Sequence, residues 1–366
     1  MKTNDTRRHG MMLARGTALL AAAALIATAG VAMAHSKKNK PLVLEAEGSF
    51  FVNGKVVTTN FPSAPATGNP TPGLQVVNQM YVRYMIPEDV GYYWARSNDR
   101  WRLPTKKRLP PVIMVHGSGH TGVTFETTPD GREGWANYFV RNGFPVYVVD
   151  HSGRARSGFD ATPINQAKVQ SNPALIPSLV KTTHEGAWVG FRIGPSYGVT
   201  YPGAQFPIAD FDQYAAQLVP NTEVTLVDGG ANSTRALTAL LDKIGPAIII
   251  AHSQGSSYAL GATVARPNLV KGVLMLEGSC AATMAEIQDA FVRSPFMAMI
   301  GDNRPPERNV QCQDTVNAIN AAGGKATFLL LPAAGFKGNS HMMMMDKNNL
   351  QIADLVIRWI DEVTIK

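Results

Sequence analysis

The chain is expected to fold as an α/β domain, a mostly parallel central sheet flanked by helices and carrying an inserted cap, on three observations. Short apolar runs bounded by turn residues alternate with helical patterns along most of the sequence, which is the signature of parallel strands joined by crossover helices. One of these runs, residues 247–250, ends in small residues around Ser253 and leads straight into a helical stretch over 255–266. Between about residues 159 and 225 the alternation lapses into a Pro- and aromatic-rich stretch, and a long irregular insertion in a compact domain is usually functional.

In chain order, residues 1–34 read as a secretory signal peptide. Lys2, Arg7, Arg8 and Arg15 precede an uncharged, alanine-rich run that closes in Ala32-Met33-Ala34 before a polar segment. The alternative, a membrane anchor, fits poorly because the apolar run is short, and nothing after residue 34 is apolar for long enough to span a bilayer. Cleavage after Ala34 leaves a single α/β domain, 35–366, in the periplasm or outside the cell. Arg7-Arg8 hints at twin-arginine export, whereas Gly10 and Met11 match that signal badly.

Residues 48–59 form two short apolar runs around Asn53-Gly54, a strong hairpin signal. A Pro/Gly/Ser-rich loop over 61–73 follows. Strands are expected at 76–85, 112–115 and 146–149, with a helix at 134–142 between the last two. The insertion at 159–225 holds Trp188, Phe191, Tyr197, Tyr201, Phe206, Phe211 and Tyr214, of which about a third should face a substrate pocket and the rest pack within the insertion. A helix at 234–244 feeds the strand before Ser253. Strands at 272–276, 296–300 and 327–331 and helices at 313–322 and 349–360 complete the alternation. There is no internal repeat.

The formal charge is +7, part of it carried by the leader. The remainder forms no dense basic cluster interleaved with aromatics, so nucleic acid is not an expected partner. Cys280 and Cys312 are the two cysteines. In an oxidising compartment a disulfide is the natural reading, and closing a loop of about 32 residues would contribute on the order of 3 to 4 kcal/mol. Two unpaired buried thiols are the alternative.

The sharpest chemical signal is Ala251-His252-Ser253-Gln254-Gly255. A strand-to-helix turn this tight requires small residues two before and two after the serine, and it lifts the hydroxyl over the end of the sheet. An ordinary tight turn could share the pattern, but the buried-strand run before it and the helix after it are the context a nucleophile needs. A serine hydroxyl is a weak nucleophile at neutral pH and needs a base, most often histidine. Among the eight histidines, His9 leaves with the leader and His35 lies at the new N-terminus. His116, His120, His151 and His184 sit in loops ahead of the serine, and His252 is turned aside by the elbow. His341 alone follows the last expected strand, at the sheet edge where functional loops gather, and is taken as the base rather than a capping or surface residue.

Two acids could orient that histidine. Glu277 ends Val-Leu-Met-Leu-Glu, and Asp302 follows Met-Ala-Met-Ile-Gly. The commonest hydrolytic arrangement draws the acid from the later strand, three residues beyond such a glycine, but Arg304 fills that slot and Asp302 suits a turn cap. Glu277 has the longer reach; spacing favours it and leaves Asp302 open. Charge that develops on a substrate oxygen needs fixed N–H donors. Gln254 N–H is one. The other is expected in His116-Gly117-Ser118-Gly119-His120, from Ser118 first and Gly119 next. The lysine and Ser/Thr of a phosphate-binding loop are missing there.

With these residues in place the chain resembles the α/β-hydrolase superfamily, and within it an atypical group of secreted bacterial carboxylesterases whose acid is a glutamate after the sixth strand. The likeness runs through His116-Gly117 with Thr121-Gly122, Glu126 to Arg132, Asp150 with Ser152-Gly153-Arg154, His252-Ser253-Gln254 and Gly301-Asp302. It continues through Ala321 to Lys325 and Gly338 to Met344 with Asp346 and Asn348-Asn349-Leu350. The resemblance implies Ser253 as nucleophile, His341 as base, Glu277 as acid and a Cys280–Cys312 pair. Some relatives carry adjacent cysteines where this chain has Ser118-Gly119, so any role of such a pair is absent here. The group includes enzymes that de-esterify herbicides. It implies a small carboxylic ester as substrate. The enzyme is expected to use no metal or organic cofactor, to make no stable membrane insertion after signal cleavage, and to have room for a homodimer. An amidase or lactonase with the same triad, or a non-catalytic binding protein of this fold, are the rival readings. Met342 to Met345 cannot all face one way; two in the core and two beside the pocket is the simpler expectation.

Overall fold

The structure is a computed structural model. It describes residues 41–63, 71–88, 96–97, 100–101, 109–221, 228 and 230–364. The segment 1–34, expected to be a signal peptide, lies outside the described residues.

Ten strands carry the architecture. They are β1 Leu44–Val52, β2 Lys55–Thr59, β3 Gly73–Val77, β4 Met80–Pro87, β5 Val112–Val115, β6 Val146–Val149, β7 Ala247–His252, β8 Val270–Leu276, β9 Phe296–Ile300 and β10 Ala326–Leu330. Eight of them form one sheet in the order β1-β4-β6-β5-β7-β8-β9-β10. The β1–β4 and β4–β6 pairs are antiparallel and all pairs from β6–β5 onward are parallel. This is the predicted mostly parallel sheet. Every residue of β5, β7 and β9 is buried, as strands covered on both faces must be, whereas β1 alternates between half-buried and exposed.

The longer helices are α1 Trp135–Arg141, α2 Thr162–Val169, α3 His184–Gly190, α4 Phe211–Ala216, α5 Ala231–Ile244, α6 Gly255–Ala265, α7 Glu307–Ala321 and α8 Asn349–Thr364. Because side chains alternate along a strand, β7 sends Ile248 and Ile250 to one face and Ile249 and Ala251 to the other. The first face packs against Trp135 and Phe139 of α1 and Val356, Trp359 and Ile360 of α8. The second packs against Leu237 and Leu241 of α5, Ala259 of α6, and Val316 and Ile319 of α7. Buried Ile352, Ala353, Leu355, Val356, Trp359 and Ile360 form the apolar stripe of α8, at the spacing that places one helix face on the sheet. No helix of the described residues is long and apolar enough to cross a membrane.

The expected hairpin at Asn53-Gly54 is corrected. β1 and β2 do not pair with each other: β1 pairs with β4 and β2 with β3. Val52 faces Met80 and Lys55 faces Val77, so 44–59 and 73–87 are the two arms of one longer antiparallel ribbon. Each arm is bent at the same level by an asparagine with positive φ, Asn53 at 62° and Asn78 at 63°. Asn53 Nδ2 donates to the Asn78 carbonyl at 3.1 Å across the bend. The left-handed preference that makes Asn-Gly a turn signal is used here for a kink, and the expected 76–85 strand is broken at Asn78 for the same reason. α7 begins at Glu307, six residues before the expected start.

Between β6 and α5 lies the insertion, with α2, α3 and α4 joined by long loops. Trp188, Phe206, Phe211 and Tyr214 are buried in the core on the α1–α8 side, and Tyr197 is exposed. All four methionines from Met342 to Met345 are fully buried in that core, against the expected division between core and pocket.

Cys280, just after β8, is disulfide-bonded to Cys312 in α7 with Cα atoms 4.9 Å apart, and both residues are fully buried. The protein should therefore weigh two hydrogens less than its reduced chain. Replacing both cysteines by alanine should lower the unfolding free energy by about 3 to 4 kcal/mol in urea titrations, because the bond restricts the unfolded chain over a 32-residue separation. An unchanged urea midpoint would refute that contribution.

Candidate active site

The site is assembled where β5, β7, β8 and β9 end. Past β7 the chain turns sharply at Ser253, whose φ of 51° lies in the left-handed region, a conformation that costs of order 1 kcal/mol or more for a residue with a Cβ. It is held by the parallel ladder, since Ser253 N–H donates to Leu276 O at 2.9 Å. α6 starts two residues later at Gly255, where a Cβ would come within 2.5 Å of the His116 carbonyl. Gly117, on the loop after β5, is equally confined: a Cβ there would stand 2.9 Å from Ser253 Cβ. The absence of side chains at these two positions lets the β5 loop lie against the serine.

Glu277 repeats the pattern one strand over. Its φ is 57°, its N–H donates to Met299 O at 2.9 Å, and its carboxylate is wholly buried. Oε1 receives the Gly301 amide at 2.5 Å and lies 2.5 Å from Arg192 Nη2. Oε2 lies 3.5 Å from His341 Nδ1 and 3.9 Å from Arg304 Nη1. Burial pushes this carboxyl upward, but the contact with His341, the charge of Arg192 and the Gly301 amide outweigh it and bring the pKa down to about 2. It is ionised at any working pH.

His341 follows β10 by eleven residues and is buried. Its N–H donates to Phe191 O at 2.9 Å, and its ring stacks on Phe191 at 5.6 Å with planes 9° apart. Its carbonyl accepts from His252 Nε2 at 3.0 Å, so the histidine turned aside by the elbow is the one that pins the His341 loop. Asp302 does not touch the imidazole. Its Oδ2 accepts the Asn339 amide at 3.0 Å and its N–H returns to Asn339 O at 2.9 Å, the turn-capping alternative expected for it. Buried Asp346 receives Asn339 Nδ2, Ser340 N and Ser340 Oγ at 2.8 to 3.0 Å and secures the other side of the loop. Burial moves the His341 pKa below 6.5, with Arg192 and Arg304 adding to the shift and Glu277 opposing it.

On the β5 loop, Gly119 N–H is already given to Asn221 Oδ1 at 2.7 Å. Among the described residues nothing accepts the Ser118 N–H. Ser118 Oγ accepts from Asn221 Nδ2 at 2.5 Å, and its carbonyl accepts from His120 Nδ1 at 2.6 Å. Because a carbonyl only accepts, His120 carries its hydrogen on Nδ1, and Tyr214 O–H donates to Nε2 at 2.9 Å. Arg154, almost fully buried, ties the loop to the elbow: Nη1 donates to Gly117 O at 2.8 Å and Nη2 to Gln254 Oε1 at 2.9 Å. Burial lowers its pKa to about 10, which leaves it charged at neutral pH.

A cleft of about 630 Å³ collects these groups, with Ser253, Gln254, Glu277, His341, Arg192 and Arg304 in its wall. Phe191 is the one aromatic of the insertion that lines it among the described residues, fewer than expected. Among those residues no cluster of three or more His, Cys, Asp or Glu side chains could hold a metal ion. Arg192, Arg154 and Asp346 were not singled out by sequence, and His252 was read only as turned aside by the elbow. Arg192 lies in the insertion without a local pattern, and Arg154 and Asp346 appear only inside longer motifs.

No family model matches the sequence. A probable secreted lipase, phiG, of a fungal species is 31% identical over 306 residues, covering 69% of this chain and 82% of that protein. A solved structure described as a novel bacterial esterase is 35% identical and superposes with a TM-score of 0.79, covering 89% of this chain and 98% of that one. The chain therefore belongs to the α/β-hydrolase superfamily, among the carboxylic ester hydrolases that include this lipase and this esterase.

Proposed function

We propose that the protein is an exported serine carboxylesterase that hydrolyses small carboxylic esters through an acyl-enzyme. The observation that carries this reading is the buried, ionised Glu277 facing His341 Nδ1 at 3.5 Å in the same cleft as the strained Ser253. An ionised carboxylate holds the imidazole hydrogen on Nδ1 and leaves Nε2 as the acceptor for the serine proton. Ser253 Oγ adds to the ester carbonyl as His341 takes its proton. The charge on the carbonyl oxygen falls to the N–H groups of Gln254 and Ser118. The tetrahedral adduct collapses, the alkoxide leaves with the proton from His341, and water activated by the same histidine then releases the acid. Ser118 is preferred over Gly119 because the latter's N–H is already bonded to Asn221. Residues 159–225 act as a cap that supplies Phe191 and Arg192 to the cleft, residues 1–34 act as the export signal, and the disulfide suits an oxidising destination.

Ser253→Ala should abolish hydrolysis of short p-nitrophenyl esters by several orders of magnitude with an unchanged circular dichroism spectrum. Wild-type turnover in that variant would transfer support to the binding-protein reading. A panel of esters, amides and lactones assayed with the wild type separates esterase from amidase and lactonase.

Glu277→Gln should lower kcat by roughly 10³ to 10⁴, the scale for a triad acid turned into its amide. Asp302→Asn should cost at most about tenfold, since it disturbs a turn beside the histidine. The opposite ranking would move the acid to Asp302.

The pH profile follows from His341. The reaction needs the neutral imidazole, and burial moves its pKa below 6.5. Thus kcat/KM should rise with pH through a midpoint below 6.5 and be flat at neutrality; a midpoint above that value would contradict the assignment.

A further inference from the structure

The insertion reaches the reacting groups through one charged side chain. α3 ends at Gly190, and Arg192, two residues later, adopts a φ of 55°, the left-handed position after a helix that glycine normally fills. Its N–H still returns to Val189 O at 3.1 Å, and Ile193 N–H returns to Trp188 O at 3.0 Å, so the strained turn is fixed by the helix end. From there the side chain runs inward and is 12% exposed. Nε donates to Asp302 O at 2.9 Å, Nη2 lies 2.5 Å from Glu277 Oε1, and Nη1 lies 3.4 Å from His341 Nδ1.

We infer that Arg192 is a positioning residue for ester hydrolysis: delivered by the insertion, it clamps the Glu277 carboxylate and sets a fixed positive charge beside His341 Nδ1. The inference rests on the reading of Ser253, His341 and Glu277 as the reacting set. A guanidinium only donates, and Nδ1 already carries the hydrogen that faces ionised Glu277, so the 3.4 Å approach is an electrostatic contact rather than a hydrogen bond. Its effect has two parts. Holding Oε1 between Arg192 and the Gly301 amide leaves Oε2 for the imidazole. The charge itself opposes protonation of His341 before substrate arrives, so that the histidine rests in its base form.

The other groups around the ring do not duplicate this contact. Arg304, from the loop after β9, is a second and more remote positive charge: it stands 3.9 Å from Glu277 Oε2, the oxygen that faces the imidazole, and lowers the His341 pKa less than Arg192 does. His252, at the end of β7, and His120, on the β5 loop, lie on other sides of the site and are kept neutral, chiefly by burial. Phe191 stacks on the ring without charge.

The test uses the full exported enzyme with Arg192→Gln and Arg192→Lys. Each is assayed for kcat and KM on a short p-nitrophenyl ester across the acid limb of the pH profile. Removing a unit charge this close to Nδ1 should move the acid limb of kcat/KM upward by about one pH unit in Arg192→Gln. The neutral-pH kcat should fall about tenfold while KM stays within about threefold, because the clamp serves the base more than ground-state binding. Arg192→Lys, with its ammonium farther from Nδ1, should fall between the two. An acid limb in Arg192→Gln that coincides with the wild type overturns the inference, even if kcat drops, since loss of a merely structural ion pair would lower activity without moving the limb. If Arg192→Gln does not fold, an unmoved limb in Arg192→Lys overturns it instead. A fluorophosphonate probe on the wild type keeps the two levels apart: covalent labelling on a residue other than Ser253 sinks the underlying reading.

Discussion

A carboxylate buried without access to water is the constraint around which this molecule is arranged. Taken from water alone, Glu277 would be forced to neutralise, and it stays ionised because His341, Arg192 and the Gly301 amide outweigh its burial. The groups around it come from four places: the Gly301 amide from the end of β9, Arg192 from the insertion, Arg304 from the loop before α7, and His341 from the loop after β10. Each of those elements is fixed in turn by its own packing. The demand of one oxygen pair therefore couples the sheet, the insertion and the last loop, and a shift in any of them is felt at the imidazole.

The parallel half of the sheet was legible because its physics is local. Strands covered on both faces must be continuous apolar runs, and residues 112–115, 146–149 and 296–300 coincide with the observed strands. Ser253 and His341 were legible because small flanking residues and position after the last strand are constraints of chain geometry. The choice between Glu277 and Asp302 was not settled by spacing, since both follow strands that end at the same edge and only side-chain reach separates them. The kinked ribbon was misread for a related reason. Asn53-Gly54 encodes a left-handed backbone, but whether that becomes a reversal or a bend depends on the partner strand, and β4 outcompetes β2. Arg192 left no trace in sequence because its partners are 85 to 149 positions away.

The histidines illustrate how burial assigns roles. His116, His120, His151 and His252 are all fully buried and held neutral, mainly by loss of solvent. Each donates from one ring nitrogen to a backbone carbonyl, of Gly117, Ser118, His116 and His341 respectively. They act as rigid, uncharged struts between the β5 loop, the elbow and the His341 loop. His341 differs in facing a carboxylate, and that contact favours its proton-bearing form.

The bent ribbon also decides how the sheet meets other molecules. The bends at Asn53 and Asn78 carry β2 and β3 away from the large sheet, so its free edge on that side is β1 alone. Along β1 the exposed positions are Glu45, Glu47, Ser49 and Phe51. A second copy adding strand to strand in register would set carboxylates opposite carboxylates on half of that row, an arrangement that destabilises cross-strand pairs. Pairing of β1 with the β1 of a second copy is thereby discouraged.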